Sequence, residues 1–163
     1  MNIEWAILQN GEWSLYLAKT EDGLCYIGSD PEFKEFESSL EKYFPAAVLA
    51  ENKDALQPYM LEIQEFLQGK RQIFSIDLDA RGTLFQEEVW EALAQIPYGQ
   101  TVSYSDIAEK INRPQAVRAA GKAIGANPLL IVVPCHRVIG KNGAITGYRG
   151  GVEMKKTLLE LEK

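Results

Sequence analysis

The sequence predicts an α+β protein in which an α/β domain is followed by a mostly helical domain with a helix-turn-helix. Short alternating apolar runs occupy the start of the chain, separated by turn residues at Asn10-Gly11 and Glu21-Asp22-Gly23. From residue 82 onward, apolar side chains recur at helical spacing instead. We therefore predict two domains, residues 1–78 and residues 79–163.

The first domain is predicted to begin with a three-stranded meander. The alternating runs indicate strands over residues 5–8, 13–18 and 24–27, and another strand over 72–78. Helical spacing of Phe33, Phe36, Leu40 and Tyr43 predicts one helix, and a similar pattern over 56–67 predicts a second. No phosphate-binding glycine loop stands out in this half, so we expect it to be a scaffold.

The second domain is predicted to contain a helix-turn-helix. An amphipathic helix runs through Phe85 and ends before Pro97. Two short helices follow, over 105–111 and 114–125, with a capping pattern that starts at Ser103. Tight connection of two short helices is typical of this motif.

The second of these short helices carries almost no side-chain bulk. Its small residues suit close packing in a core, and they equally suit close approach to a nucleic-acid backbone. Arg118 and Lys122 lie one turn apart and favour the second interpretation.

Composition limits the cellular setting and the cofactors. The 163 residues are 46% hydrophobic but contain no apolar run near the roughly 20 residues that span a bilayer. The start of the chain lacks the pattern of a signal peptide, so we expect a cytoplasmic protein without membrane association. Cys25 and Cys135 lie far apart and are expected to be free thiols, with Cys25 buried in a strand. Two cysteines and one histidine are too few for a zinc site, so we expect no metal.

Charge is distributed unevenly along the chain. The net charge is −6, which by itself argues against a nucleic-acid partner. Residues 1–78, however, hold six basic and fourteen acidic residues, whereas residues 79–163 hold eleven and nine. Between Ser105 and Lys156 there are nine basic and three acidic residues. The second domain is therefore the one that could contact phosphates, with modest affinity that falls as salt rises.

The sequence Pro134-Cys135-His136-Arg137-Val138 places the only histidine directly after a cysteine. A thiol becomes a nucleophile when a nearby cation or imidazole helps to remove its proton. We expect Cys135 to lie on a strand, where neighbouring side chains point apart, so that His136 acts through a water or a bend.

Five blocks in this order resemble the O6-alkylguanine-DNA alkyltransferases, also called methylated-DNA-protein-cysteine methyltransferases. The blocks are residues 82–90 (GTLFQEEVW), 96–104 (IPYGQTVSY), 118–121 (RAAG), 127–140 (NPLLIVVPCHRVIG) and 147–151 (GYRGG). They cover the second half of the chain, and the first half matches that family in size and layout. The resemblance implies that the first domain is RNase H-like.

The resemblance also implies a catalytic set. Cys135 would be the nucleophile, and His136, assisted by Glu162, would take its proton through a water. Tyr104 would donate a hydrogen bond to the purine. Taken alone, Glu162 would be a frayed terminal carboxylate and Tyr104 a half-buried aromatic at a helix start.

Further residues would hold the base by the same resemblance. The carbonyl of Val138 would accept from the guanine amine, and Asn127 would satisfy backbone groups before the cysteine. Tyr148 and Arg149 would belong to a loop that closes over the base. Leu130 and Arg149 stand where relatives vary and shape the pocket, which leaves the tolerance of bulky alkyl groups open.

DNA contact would come from the small-residue helix in the minor groove. Arg118 would fill the space of the extruded base, and Ala119, Gly121 and Lys122 would line the contact together with Tyr104.

These expectations combine into direct-reversal repair of double-stranded DNA that contains alkylated guanine. A methyl or small alkyl group would pass irreversibly from O6 of guanine, or from O4 of thymine, to Cys135 of a monomer that uses no cofactor. Three alternatives remain open at this point: a non-catalytic protein that binds the same lesions, a cysteine hydrolase, and a redox sensor.

Overall fold

Two units, Met1–Arg81 and Gly82–Lys163, make up the chain in the computed structural model, which describes every residue from Met1 to Lys163. The first unit combines a sheet with helices, and the second is mostly helical. The predicted α+β class is therefore confirmed. None of the six helices has the length and apolar character that crossing a membrane requires.

The first unit is built on a four-stranded sheet of order β3-β2-β1-β4. Its elements are β1 (Asn2–Asn10), β2 (Trp13–Thr20), β3 (Gly23–Gly28), α1 (Phe33–Tyr43), β4 (Val48–Glu51) and α2 (Lys53–Leu67). The first three strands form the predicted antiparallel meander. Short β4, which the sequence pattern did not reveal, pairs in parallel with β1.

An aromatic cluster holds α1 in the first unit. Tyr16 stacks on Phe36 with ring centroids 4.6 Å apart, and Trp5 lies 4.9 Å from Phe33. Cys25 is buried beside this cluster on β3, as predicted. The unit thus has a core of its own.

The strand predicted over residues 72–78 does not form. Leu78 makes only an isolated bridge to Leu24, and Ile73 is 80% exposed. Two backbone bonds fix this end, from Leu24 N–H to the Asp77 carbonyl and from Asp79 N–H to the Leu24 carbonyl. An alternating pattern cannot show whether an extended segment finds a continuous partner strand, and here it does not.

The second unit contains the helix-turn-helix. Its elements are α3 (Leu84–Ala94), β5 (Val102–Ser103), α4 (Tyr104–Lys110), α5 (Val117–Gly125), a 3₁₀ helix (Cys135–Arg137), β6 (Val138–Ile139) and α6 (Val152–Leu161). Ser103 caps α4 and forms a reciprocal capping box with Asp106, as its spacing predicted. The Trp90 indole donates to the Ala123 carbonyl at 2.9 Å, which ties α3 to α5.

Cys135 lies in a one-turn 3₁₀ helix and not in the strand that we predicted. The N–H of Arg137 bonds to the carbonyl of Pro134, and the N–H of Cys135 bonds to the carbonyl of Val133. These local bonds use the backbone groups that a strand ladder would need, and the extended strand begins only at Val138. Cys135 is therefore presented on a turn.

Candidate active site

Cys135 is buried, with only 5% of its surface exposed. Burial raises the pKa of its thiol, whereas the Asn127 amide and the cations of Arg149 and Lys155 act in the opposite direction. The net shift is upward, so the thiol keeps its proton in the resting protein. A base is therefore needed to form the thiolate.

Cys25 provides an internal contrast. Burial and the nearby Asp79 carboxylate raise the pKa of this thiol to about 12. Its buried position on β3 makes it an inert core residue.

A buried carboxylate organises the side chains next to Cys135. Glu162 accepts from Nε and Nη2 of Arg137 at 2.8 and 2.9 Å, and from the Gly99 N–H at 3.1 Å. Arg137 also donates through Nη1 to the Ile96 carbonyl at 2.7 Å. Burial would raise the pKa of Glu162, but bonds from His136 and Arg137 outweigh it and hold that pKa at about 2. The carboxylate is therefore ionised at neutral pH.

This ionised carboxylate determines which ring nitrogen of His136 carries the proton. Nε2 of His136 lies 2.7 Å from Oε2 of Glu162, so it carries the proton and donates it to the carboxylate. Burial lowers the pKa of His136 despite this partner. His136 is consequently neutral at pH 7, and its Nδ1, which has no hydrogen-bond partner in the protein, holds the lone pair of a base.

Asn127 fixes the turn that leads to the cysteine. Its amide donates to the carbonyls of Val133 and Leu129 at 2.8 and 3.3 Å, and its Oδ1 accepts from the Leu129 N–H at 2.9 Å. The side chain is almost fully buried. Asn127 thus supplies bonds within a turn that has no regular ladder.

Tyr104 belongs to a second hydrogen-bonded group. Its hydroxyl bonds to Oγ1 of Thr146, which also accepts from Nζ of Lys155 at 3.0 Å. Lys155 is 1% exposed, and burial lowers its pKa. This arrangement places a buried amine one hydroxyl away from the tyrosine.

Lys155 and Arg137 correct the charge argument made from the sequence. Both were counted among the nine basic residues of a potential DNA-binding surface, but both are buried. Seven basic residues between Ser105 and Lys156 remain exposed. The surface available to phosphates is therefore smaller than the sequence suggested.

The segment before α6 packs beside the cysteine. The Tyr148 hydroxyl is buried, and burial together with the nearby Cys135 raises the pKa of this residue well above its ordinary value. Arg149 donates to the Asn127 carbonyl. Val138, whose carbonyl was predicted to hold the base, is fully buried on β6 opposite Val102.

Helix α5 has two distinct faces, one buried and one exposed. Ala120, Ala123 and Ile124 are buried against the unit's core. Arg118, Ala119 and Lys122 are exposed. Gly121 lies beside Tyr104, where an added Cβ would stand 3.5 Å from the ring. The buried face of the helix therefore carries mainly small side chains, and its exposed face carries two cations.

Thr146, Lys155 and the pairing role of Arg137 were missed by reasoning from the sequence. Lys155 stands next to Lys156 in an amphipathic helix, which is the usual appearance of a solvated surface. Arg137 was noted only as a cation near the thiol. The sequence contains no local pattern that identifies these three residues, because their contacts are with residues distant in the chain.

The change in the free energy of unfolding at acidic pH tests the importance of the cluster formed by Glu162, His136 and Arg137. Both His136 and Glu162 have lowered pKa values, so the unfolded chain binds more protons than the folded one. Stability should fall as pH drops below 6.5, and again between 4.5 and about 2. Glu162→Gln should reduce the second decrease, to which the lowered pKa values of Glu62 and Asp79 also contribute. The variant should lower the free energy of unfolding by about 3–5 kcal/mol at neutral pH, because Arg137 loses its counter-ion.

Urea unfolding across this pH range measures both effects. Glu160→Gln is the matched control, since Glu160 is exposed on the same helix and pairs with Lys163 at the surface. It should cost less than about 1 kcal/mol. Equal losses in the two variants would contradict the proposed importance of the cluster.

Comparison with known proteins assigns both units to one family. The model described as "6-O-methylguanine DNA methyltransferase, ribonuclease-like domain" matches residues 5–80, and the DNA binding domain of the same description matches residues 84–163. The RNase H-like character expected of the first unit is thereby confirmed.

Individual relatives agree with this assignment. The inducible methylated-DNA–protein-cysteine methyltransferase of Bacillus subtilis (strain 168) is 55% identical over 160 residues, which are 98% of this chain and 89% of the relative. The crystal structure of Mycobacterium tuberculosis O6-methylguanine methyltransferase matches with a TM-score of 0.85 at 36% identity, covering 99% of this chain and 93% of the other. M. tuberculosis OGT in complex with DNA matches with a TM-score of 0.82 at 35% identity, covering 100% and 93%. The chain therefore belongs to the 6-O-methylguanine DNA methyltransferase family, as the five sequence blocks had indicated.

Proposed function

We propose that this protein repairs DNA by moving a methyl or small alkyl group from O6 of guanine to Sγ of Cys135. The observation that carries the assignment is the buried cluster of His136, Glu162 and Arg137, which holds a neutral imidazole with a free lone pair directly after the cysteine. Methylated-DNA–protein-cysteine methyltransferase activity is the reaction of the family to which the chain belongs.

The chemistry balances without a cofactor. The Cys135 thiol gives its proton to Nδ1 of His136, directly or through a water, and the thiolate attacks the alkyl carbon. A carbon–sulfur bond forms while the carbon–O6 bond breaks, and the purine takes up one proton on its ring. This proton balances the one that left the thiol, so His136 returns to its neutral form. The product is a thioether, which water does not cleave readily, so each molecule acts once.

Charge stabilisation would come from groups already in the site. Glu162 favours the imidazolium formed when His136 takes the proton. The Tyr104 hydroxyl would donate to the purine as negative charge develops there, and Lys155 would support it through Thr146. Val138 and the loop with Tyr148 and Arg149 would hold the base.

Access to a base in duplex DNA requires that the nucleotide leave the stack. The outer face of α5 suits this task, because Ala119 adds no bulk while Arg118 and Lys122 project into solvent. Arg118 would occupy the vacated position and Lys122 would contact phosphate, with the helix in the minor groove. The alternative of a non-catalytic lesion-binding protein does not account for a cysteine paired with this cluster.

Intact-mass measurement with a methylated oligonucleotide tests the acceptor. The protein should gain one methyl, located on Cys135 by peptide mapping. Cys135→Ser should gain none and still bind the duplex, since a hydroxyl is a far weaker nucleophile at neutral pH. Cys25→Ser should behave as the unmodified protein. A label on Cys25, or repeated turnover, would refute the assignment.

Comparison of duplex and free-base substrates tests whether Arg118 occupies the position that the extruded base leaves. Arg118→Ala should slow transfer from duplex DNA by about 10- to 100-fold, because extruding a base costs a few kcal/mol. Transfer from the free base O6-methylguanine should stay within about twofold, as no stack is opened. Equal losses on both substrates would make Arg118 a pocket or folding residue instead.

Salt-dependent binding tests the position of the DNA-contacting surface. Lys122→Glu should weaken binding to methylated and unmodified duplex alike and lower the salt slope by about one, as loss of a phosphate contact does. Lys53→Glu, at the start of α2 in the acidic unit, is the control and should leave both quantities unchanged. If Lys53→Glu weakened DNA binding as much as Lys122→Glu, the proposal that α5 forms the DNA-contacting surface would be wrong.

A further inference from the structure

Ile131 has a backbone conformation that its own side chain disfavours. Its φ is +73°, and only Ala46 and Asn112 among the other non-glycine residues have a positive φ. Ala46 and Asn112 are exposed in loops, whereas Ile131 is 1% exposed and is the only β-branched residue of the three. A β-branched residue with positive φ is a true outlier, and such strain persists only where the surrounding structure enforces it.

The strain at Ile131 arises in a γ-turn. The Val132 N–H donates to the carbonyl of Leu130 at 2.8 Å, with Ile131 between them. A γ-turn whose central φ is near +75° is the rare and strained form of this turn. A further bond closes over it, from the Val133 N–H to the Leu129 carbonyl at 3.0 Å. The chain therefore reverses its direction at Ile131.

A second γ-turn leads from this reversal to the cysteine. The Cys135 N–H donates to the Val133 carbonyl at 2.8 Å, and Pro134 between them has φ −80° and ψ 61°, which is the common form of the turn. The same carbonyl accepts from the Asn127 amide at 2.8 Å. The position of the Val133 carbonyl thus determines where Cys135 lies, and that position depends on the reversal at Ile131.

The isoleucine side chain does more at this position than tolerate the turn. Glycine would adopt the same φ without strain, but it would also leave the segment free to adopt many other conformations. The side chain of Ile131 is buried in the interior of the unit. Opening of the turn would move it toward water, which is unfavourable for an apolar group and opposes relaxation of the strained backbone.

We propose that Ile131 is a positioning residue for the Cys135 thiol: its buried side chain holds the strained γ-turn closed and thereby fixes the position of Sγ. The inference rests on the proposed role of Cys135 as the alkyl acceptor. Transfer depends steeply on such placement, because a displacement of about 1 Å can lower a rate by about 100-fold.

Urea unfolding of paired variants tests the strain. Ile131→Gly and Ile131→Ala both remove the buried side chain, but only alanine retains a Cβ that opposes a positive φ. The folding equilibrium constant of Ile131→Gly should therefore exceed that of Ile131→Ala by about two- to tenfold. Val132 does not have a positive φ, so Val132→Gly should instead be less stable than Val132→Ala. Greater stability of Ile131→Ala than of Ile131→Gly would overturn the inference.

Methyl transfer from the free base O6-methylguanine tests the positioning role, because no DNA contact affects this substrate. In conditions where urea titration shows each variant to be folded, Ile131→Gly should transfer about 10- to 100-fold more slowly than the unmodified protein. Ile131→Val keeps a β-branched apolar side chain and should stay within about threefold. Val89→Ala is the matched control, since it removes buried apolar atoms from α3 and should lower stability without slowing transfer. An unchanged rate in Ile131→Gly, or an equal loss in Val89→Ala, would contradict the proposal.

Reaction of Cys135 with iodoacetamide tests the same turn without alkyl transfer. Burial holds the pKa of this thiol above its usual value, so opening of the turn should expose the sulfur and return its pKa toward that value. The pH profile of modification should therefore shift to lower pH in Ile131→Gly, although methyl transfer is slower. Slower transfer with the pH profile of the unmodified protein would overturn the proposal, because the thiol would then have kept its surroundings.

Ile131→Thr and Ile131→Val provide a second test if the glycine variant does not fold. Threonine and valine have nearly the same shape, but the threonine hydroxyl favours water over the protein interior. Iodoacetamide should modify Cys135 about tenfold faster in Ile131→Thr than in Ile131→Val, because opening of the turn costs less. Equal rates would overturn the inference. If the unmodified protein transferred no methyl, the proposed function would fail, and the iodoacetamide rates would still decide whether Ile131 holds the thiol in place.

Discussion

The buried carboxylate of Glu162 is the charge on which the arrangement around Cys135 depends. It joins the end of α6 to the 3₁₀ helix through His136 and Arg137, and to the turn after α3 through the Gly99 N–H. These three segments are distant in sequence and share no regular hydrogen-bond ladder. A fully bonded ion pair can tolerate burial, whereas either partner alone would be strongly destabilising there. The same contacts that hold the segments together therefore also fix the imidazole tautomer.

The thiol and the imidazole have complementary pKa shifts. Burial raises the pKa of Cys135 and lowers that of His136, so both are neutral in the resting protein. Neither group carries a charge that the buried site must solvate before the substrate arrives. In the proposed reaction, proton transfer between them would create charge where Glu162, Arg149 and Lys155 are already in place to stabilise it. This preorganisation agrees with a protein that needs to react only once.

Helix α5 shows how one short element can serve two surfaces. Alanines on the inner face allow it to pack closely in the unit, with Trp90 bonded to the Ala123 carbonyl. Arg118 and Lys122 on the outer face remain available to a polyanion. Because Arg137 and Lys155 are buried, the basic side chains of this unit divide into a structural pair and an exposed set. Net charge alone could not have distinguished them.

The sequence by itself determined the local elements and the pair of residues proposed to react. Turn glycines and alternation defined the meander, the Ser103 capping pattern defined the start of α4, and adjacency in the chain defined Cys135 and His136. Five ordered blocks were sufficient to indicate the family. These features depend on neighbours within a few residues, which periodicity and capping rules describe.

Only the tertiary structure decided which distant side chains share the site. Glu162 meets Arg137 across 25 residues, and Tyr104 meets Thr146 across 42. Lys155 has the sequence context of a surface residue and is buried, whereas residues 72–78 have the pattern of a strand and find no ladder. Burial and pairing are properties of the whole packing arrangement, because a side chain is desolvated by residues that its local sequence does not contain.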